Sequence, residues 1–247
     1  VLGVGQQREG IRAEDGMQAI PANNRPDAFP LLSNAKDLWA QLGAVIHEPH
    51  DYQTLVIDSV TALERLFVAE VLEQDPKAKS INQALGGYGA GVAAVAAMHA
   101  RVRKGAGLAN EKRGMHVVFV AHADVETMRL PDADDYMRYS LRLPPKSMPP
   151  YVDDVDVVGF LRLVTFTKGD DGERKKAIST GDRELVCHAV ASNISKNRYG
   201  LTEALPFAAG ENPLFAVIPA LAGKHMKQAT AKANSMTPAD GSDGSAQ

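Results

Sequence analysis

Two apolar, β-branched-rich runs in this chain each end on a side chain that can do chemistry. Thr54-Leu55-Val56-Ile57-Asp58-Ser59 stops on a carboxylate and a hydroxyl, and Met115-His116-Val117-Val118-Phe119-Val120-Ala121-His122 stops on an imidazole. A third run, from Gly10 to Gly16, ends in Glu14 and Asp15, and a later segment, Ser195 to Gly200, carries Lys196 and Arg198. Parallel strands covered on both faces are continuously apolar, and ligands of open α/β sheets bind beyond their carboxyl ends. Glu14, Asp58, His122 and the Lys196/Arg198 pair are therefore expected along one sheet edge. Carboxylates there can hold a metal's water shell or take a proton, and cations can offset developing negative charge.

The elements that must position these groups are legible as periodicity. Leu38, Leu42, Val45 and Ile46 predict a helix from Ser33 or Asn34, as N-cap, to about His47. Leu63, Leu66, Phe67 and Val71 predict another over Thr61 to Leu72, ending before Pro76. The glycine-rich break Gly86 to Gly91 leads into an alanine-rich helix expected from Val92 to about Arg103. Pro21 to Pro30 reads as a loop, and Ala123 to Tyr151 as a long polar one, long enough to expect a functional or mobile role. Val155 to Thr167 and Lys175 to Thr180 alternate around Lys168 to Glu173, a hairpin signature, and a further strand is expected from Glu184 to Ala191. After about Gly223 the apolar periodicity stops, predicting a disordered tail over 224–247 behind a core of residues 1–223.

Composition sets outer bounds. A chain of 247 residues, 45% hydrophobic and 23% charged, suits one large soluble α/β domain or two small ones, with a real core. Its net charge of -3 excludes a polybasic protein that coats nucleic acid by charge alone. The single cysteine, Cys187, has no partner within the chain, which suits a reducing compartment, and no apolar run approaches the length of a membrane span. A cytoplasmic location without membrane partners is expected, in the bacterial host if the protein is phage-encoded.

The order of these motifs resembles the RecA-type ATPases, and most closely the phage-encoded, single-domain RecA-like proteins associated with single-strand annealing and recombination. The matching text is Ala13-Glu14-Asp15-Gly16, Asp27-Ala28-Phe29-Pro30, Tyr52 to Ser59, Val118 to His122, and Lys196-Asn197-Arg198-Tyr199-Gly200-Leu201, spanning roughly residues 10 to 206. The resemblance implies a RecA-like, mostly parallel sheet flanked by helices, followed by a β-hairpin. It implies a Walker B strand in which Asp58 holds Mg²⁺ through water beside ATP. Ser59 would assist there or cap the next helix. Glu14 would polarise the attacking water, His122 would sense the γ-phosphate, and Lys196 and Arg198 would act as fingers inserted into a neighbouring subunit's site, so that the active unit is a homo-oligomer.

The segment after His122 stands where such proteins carry a DNA-contacting loop. Arg129, Arg138, Arg142 and Lys146, with Tyr136 and Tyr139 between them, mix cations and rings as single-strand binders do, while Asp124, Glu126, Asp132, Asp134 and Asp135 offset the charge. A lid is the other reading of this loop. The glycine-rich break offers a second DNA-facing loop or a flexible helix start, and Arg101, Arg103, Lys104, Lys112 and Arg113 form either a basic cluster or a solvated helix end.

The chain departs from the family at one place: no Gly-x-x-x-x-Gly-Lys-Ser/Thr occurs in it. The simplest expectation is an N-terminal truncation that removes this phosphate cradle, the second a paralogue that has lost catalysis; either way ATP binding by these residues alone is expected to be weak or absent. A non-catalytic RecA-like module binding DNA or a protein partner is the alternative function. A serine-hydrolase triad built on Ser59 and His122 lacks the Gly-x-Ser-x-Gly elbow, and in His47-Glu48-Pro49-His50 the proline prevents the helix that would align two metal-binding histidines.

Overall fold

The computed structural model describes residues 2–3, 27–132, 134–168, 176–208 and 212–218. Glu14, the run around it, most of the loop from Pro21 and the tail lie outside the described residues.

Helix α1 (Ala35–His47) begins where capping chemistry dictates. Asn34 Oδ1 accepts from the amide of Asp37 at 3.0 Å, and the Asp37 carboxylate accepts from the amide of Ser33 at 3.1 Å. These bonds occupy amides at a helix start that otherwise lack partners. Its Leu38, Leu42, Val45 and Ile46 are all buried. Strand β2 (Thr54–Asp58) follows β1 (Leu2–Gly3) in the sheet, and α2 (Val60–Gln74) leaves β2 through Ser59. Leu63, Phe67 and Val71 of α2 enter the core, where the Phe67 ring stacks on Trp39 at 5.9 Å.

Helix α3 (Ala90–Arg113) runs ten residues past the expected stop at Arg103. Its buried face, Val95, His99, Val102, Ala106 and Ala109, keeps helical spacing straight through Gly105 and Gly107, and that face outweighs the local charges and glycines that suggested an end. Gly114 closes the helix at φ 64°, its amide donating to the carbonyls of Ala109 and Asn110. At the other end Gly91 lets the helix approach the preceding segment: a β-carbon there would stand 2.3 Å from the carbonyl oxygen of Ile81. The three arginines of the basic stretch are engaged locally, while Lys104 and Lys112 are exposed. Arg101 lies over the Trp39 ring at 4.1 Å, Arg103 donates to the Asp154 carbonyl, and Arg113 donates to the Ile46 carbonyl at 3.1 Å and to that of Glu48.

Strand β3 (His116–Val120) completes a parallel sheet in the order β1-β2-β3, with Gly3 opposite Asp58 and Asp58 opposite Val120. β3 is half-buried rather than covered on both faces, Val118 being 45% exposed. The expected loop after His122 is instead an antiparallel hairpin, β4 (Ala123–Met128) and β5 (Tyr136–Leu141), in register from Ala123–Leu141 to Met128–Tyr136. Pairing puts Val125, Thr127, Met137 and Tyr139 on one face and Asp124, Glu126, Arg138 and Ser140 on the other. The density of acids had hidden that alternation. A 3₁₀ turn (Pro145–Ser147) and a short helix, α4 (Pro149–Val152), bring the chain back against α3.

Beyond β6 (Val157–Val158), β7 (Phe160–Lys168) and β8 (Lys176–Val186) are neighbouring strands, in keeping with the hairpin signature. The separate strand expected from Glu184 is the end of β8, where Leu185 pairs antiparallel with Leu205 of β10 (Leu205–Pro206). β9 (Lys196–Asn197) precedes β10, and α5 (Pro213–Val217) is the last described element. The fold is mixed α/β. Among the described residues β1-β2-β3 pair parallel and Tyr139 bridges Asn193 in parallel, while β4-β5 and β8-β10 are antiparallel, so the expected mostly parallel sheet is seen only as the three strands β1-β2-β3. Contacts divide the chain into two compact units, 1–160 with 189–196 and 161–188 with 197–247. The first holds the core just described. In the second, Arg162 pairs with Glu184 at 2.7 Å and Cys187 is buried. No helix among the described residues is long and apolar enough to cross a membrane.

Candidate functional site

Asp58 is the last residue of β2 and is exposed at the carboxyl edge of the parallel sheet. Its side chain makes no hydrogen bond or ion pair among the described residues. A carboxylate so placed is open to solvent at the edge where ligands of α/β sheets bind. Ser59 is buried and its Oγ accepts from the Ala62 amide at 3.2 Å, so this hydroxyl caps α2.

His122 stands two residues beyond Val120, the register partner of Asp58. Its amide donates to Thr61 Oγ1 at 3.0 Å, which ties the end of β3 to the first turn of α2, and its carbonyl accepts from the Arg142 amide at 2.8 Å, which ties it to the end of β5. A cleft of about 720 Å³ opens beside it. Thr61, Glu64 and Arg65 form one wall, Asp124, Glu126 and Arg142 of the hairpin another, and Leu143, Pro144, Pro145 and Met148 an apolar floor. Asp58 does not line this cleft. His122 is thereby grouped with Arg142 rather than with Asp58.

The cations proposed from sequence for DNA are engaged locally. Arg138 donates to Glu126 Oε1 at 2.6 and 3.1 Å, directly across the hairpin. Arg142 faces Asp124 at 3.7 Å and donates to the Ala123 carbonyl, and Arg129 faces Asp135 at 3.4 Å near the exposed tip. Lys146 is beside the glycine-rich break, where a β-carbon on Gly89 would meet its Nζ at 3.9 Å. Tyr139 stacks on Phe160 at 4.9 Å.

With this edge in place, comparison with known proteins adds one decisive match: a family model described as an AAA domain aligns with residues 11–199. The chain belongs to that family. No curated protein and no solved structure matches it. As an AAA domain the chain is of the P-loop ATPase type, for which nucleotide and commonly Mg²⁺ are the ligands, and the matched stretch contains Glu14, Asp58, His122, Lys196 and Arg198.

The AAA domain's remaining basic candidates belong to different units. Lys196 Nζ donates to the Asp153 carbonyl at 2.8 Å, both in the first unit, while Arg198 is exposed in the second. Between them Asn197 shapes the turn: its amide group donates to the carbonyls of Cys187 and Leu201 at 2.8 and 2.9 Å, and its oxygen accepts from the amides of Tyr199 and Leu201.

Sequence reading passed over the polar cluster behind the cleft. His99, fully buried in α3, meets Tyr151 Oη at 2.7 Å through Nδ1 and Glu64 Oε2 at 2.8 Å through Nε2. Burial first, and then the charge of Glu64, push the Tyr151 phenol above its ordinary range, so it stays protonated and can donate. The available signal was His99 itself, a polar residue in the row Val95, His99, Val102, Ala106.

Proposed function

We propose that this AAA domain is a RecA-like ATP-binding and ATP-hydrolysing protein of phage DNA recombination or single-strand annealing. The observation that supports it best is the unpaired Asp58 carboxylate at the carboxyl end of β2, within a family match over residues 11–199 that contains Glu14, Asp58, His122, Lys196 and Arg198. In this reading Asp58 holds Mg²⁺ through water and Glu14 orients the attacking water. His122 faces the γ-phosphate, and Lys196 and Arg198 complete the site of a neighbouring copy. Single-stranded DNA runs along the hairpin past Arg129, Arg138, Arg142 and Lys146. Because three of these cations already face carboxylates, each phosphate contact exchanges one ion pair for another, so the affinity is modest and strongly salt-dependent.

A second reading, a non-catalytic RecA-like scaffold for DNA or a protein partner, draws support from the lack of a Gly-x-x-x-x-Gly-Lys-Ser/Thr cradle in these 247 residues. Steady-state ATP hydrolysis with Mg²⁺, with and without oligo(dT), separates the two. Turnover that disappears in Asp58→Ala and Glu14→Gln supports the ATPase. DNA binding that is indifferent to nucleotide, without turnover, supports the scaffold.

A further inference from the structure

The donors and acceptors around the cleft are unequally satisfied. Each carboxylate on its walls already has a partner: Glu64 has His99 at 2.8 Å, Glu126 has Arg138 at 2.6 Å, and Asp124 has Arg142 at 3.7 Å. The Arg65 guanidinium and the His122 ring have no partner among the described residues. Thr61 Oγ1 accepts from the His122 amide, and its own hydroxyl proton has no acceptor there. These donors are neighbours by construction. Thr61 and Arg65 are four residues apart on one face of α2, and the hydrogen bond from His122 to Thr61 holds the end of β3 against that face. With each wall carboxylate already facing a partner, the unpaired donors are the groups left to hold an anion, and guanidinium is permanently charged and matched to phosphate oxygens. The floor of Leu143, Pro144, Pro145 and Met148 supplies an apolar surface beside it.

We infer that this cleft is a phosphate-binding site in which Arg65, with Thr61 and His122, holds a phosphoryl oxyanion whose organic part lies on the apolar floor. Arg65 is the recognition residue. The inference extends the phosphate-facing role given above to His122, and rests on that reading for this one residue. Two sources share the chemistry: the terminal phosphate of a nucleotide, and a phosphodiester of single-stranded DNA.

The test measures binding of a fluorescent ATP analogue with Mg²⁺ and of fluorescein-labelled oligo(dT) to the full chain at low salt, for the unaltered protein, Arg65→Ala, Arg65→Lys, His122→Ala and the Arg65→Ala/His122→Ala pair. Arg65 is exposed, so its replacement leaves folding intact. Arg65→Ala should weaken one probe about tenfold or more, Arg65→Lys should recover part of that loss, and the double variant should lose less than the product of the single losses because both side chains hold one group. A loss confined to the ATP analogue identifies the nucleotide as the source, and one confined to oligo(dT) identifies the strand. Binding of both probes within twofold of the unaltered chain in Arg65→Ala overturns the inference, as does failure of the unaltered chain to bind either probe. Hydrolysis abolished by Asp58→Ala with Arg65→Ala silent removes the cleft site and leaves the ATPase reading standing. An Arg65-dependent oligo(dT) affinity without any hydrolysis does the reverse.

Discussion

His99 Nε2 lies 2.8 Å from Glu64 Oε2, joining a fully buried imidazole to a carboxylate on the cleft wall. The other ring nitrogen takes the Tyr151 phenol, and the rings of Phe67 and Tyr151 meet His99 edge-on at 4.9 and 5.5 Å. A protonated phenol donating to Nδ1 puts the imidazole proton on Nε2, facing Glu64. α2, α3 and α4 are thus tied through one polar chain in an otherwise apolar core, and Glu64 is held in a fixed orientation at the cleft.

Removing His99 should therefore be costly. His99→Leu leaves the buried Tyr151 hydroxyl without its partner and should cost about 1–3 kcal/mol in urea unfolding, while Tyr151→Phe should cost about 1 kcal/mol. The double variant should lose less than the sum of the two, because one hydrogen bond is counted in both. Strict additivity would mean that the cluster does not act as a unit.

Alkaline pH should weaken the fold. Tyr151 and Cys187 both have native pKa values raised by burial, Tyr151 further by Glu64. A native state that holds a proton more tightly than the unfolded chain has its full contribution below the unfolded values, roughly 8.5 for Cys and 10 for Tyr, and loses it as pH rises above them. The urea midpoint should be flat from about pH 7 to 8 and fall beyond. Tyr151→Phe should remove the part of the fall above about pH 10, and an equal fall in that variant would assign the effect elsewhere.

How much of this was written in the sequence depends on the range over which each interaction acts. Asn34 and Ser59 as caps, the helical face of α1 and the strand ending at Asp58 are local patterns, and all of them hold. The full length of α3 was also available, since Val102, Ala106 and Ala109 repeat past the glycines, but local charge disguised it. The hairpin after His122 was harder to read. Its acids count as loop in sequence and pair as a charged face only once β4 meets β5, Glu126 with Arg138. The cleft depends on a contact across 61 residues, from the His122 amide to Thr61, and on a cluster spanning Glu64 to Tyr151, neither of which any window of sequence contains.

The glycines of the helices should respond oppositely to alanine. Gly43 in α1 has open space where a β-carbon would go, so Gly43→Ala should stabilise by about 0.5–1 kcal/mol through helix propensity. At Gly91 the same carbon would meet the Ile81 carbonyl at 2.3 Å and Ala84 Cβ at 2.9 Å, backbone and core that cannot swing aside. Gly91→Ala should destabilise by about 1–3 kcal/mol. Thermal unfolding of the two variants checks the sign, and a neutral Gly91→Ala would mean that α3 approaches Ile81 less closely.

Asp58 and Ser59 are adjacent yet should separate cleanly in experiment. Ser59 is buried with its hydroxyl on the Ala62 amide, so Ser59→Ala leaves that donor unpaired and should cost about 1 kcal/mol of stability. Asp58 is exposed and unpaired, so Asp58→Asn should stay within about 0.5 kcal/mol of the unaltered chain in the same urea titration. Any Mg²⁺-dependent nucleotide binding should show the opposite order, lost with Asp58→Asn and retained with Ser59→Ala once the fold is intact. A Ser59→Ala variant of unchanged stability that lost Mg²⁺ dependence would reassign the hydroxyl from helix cap to metal shell.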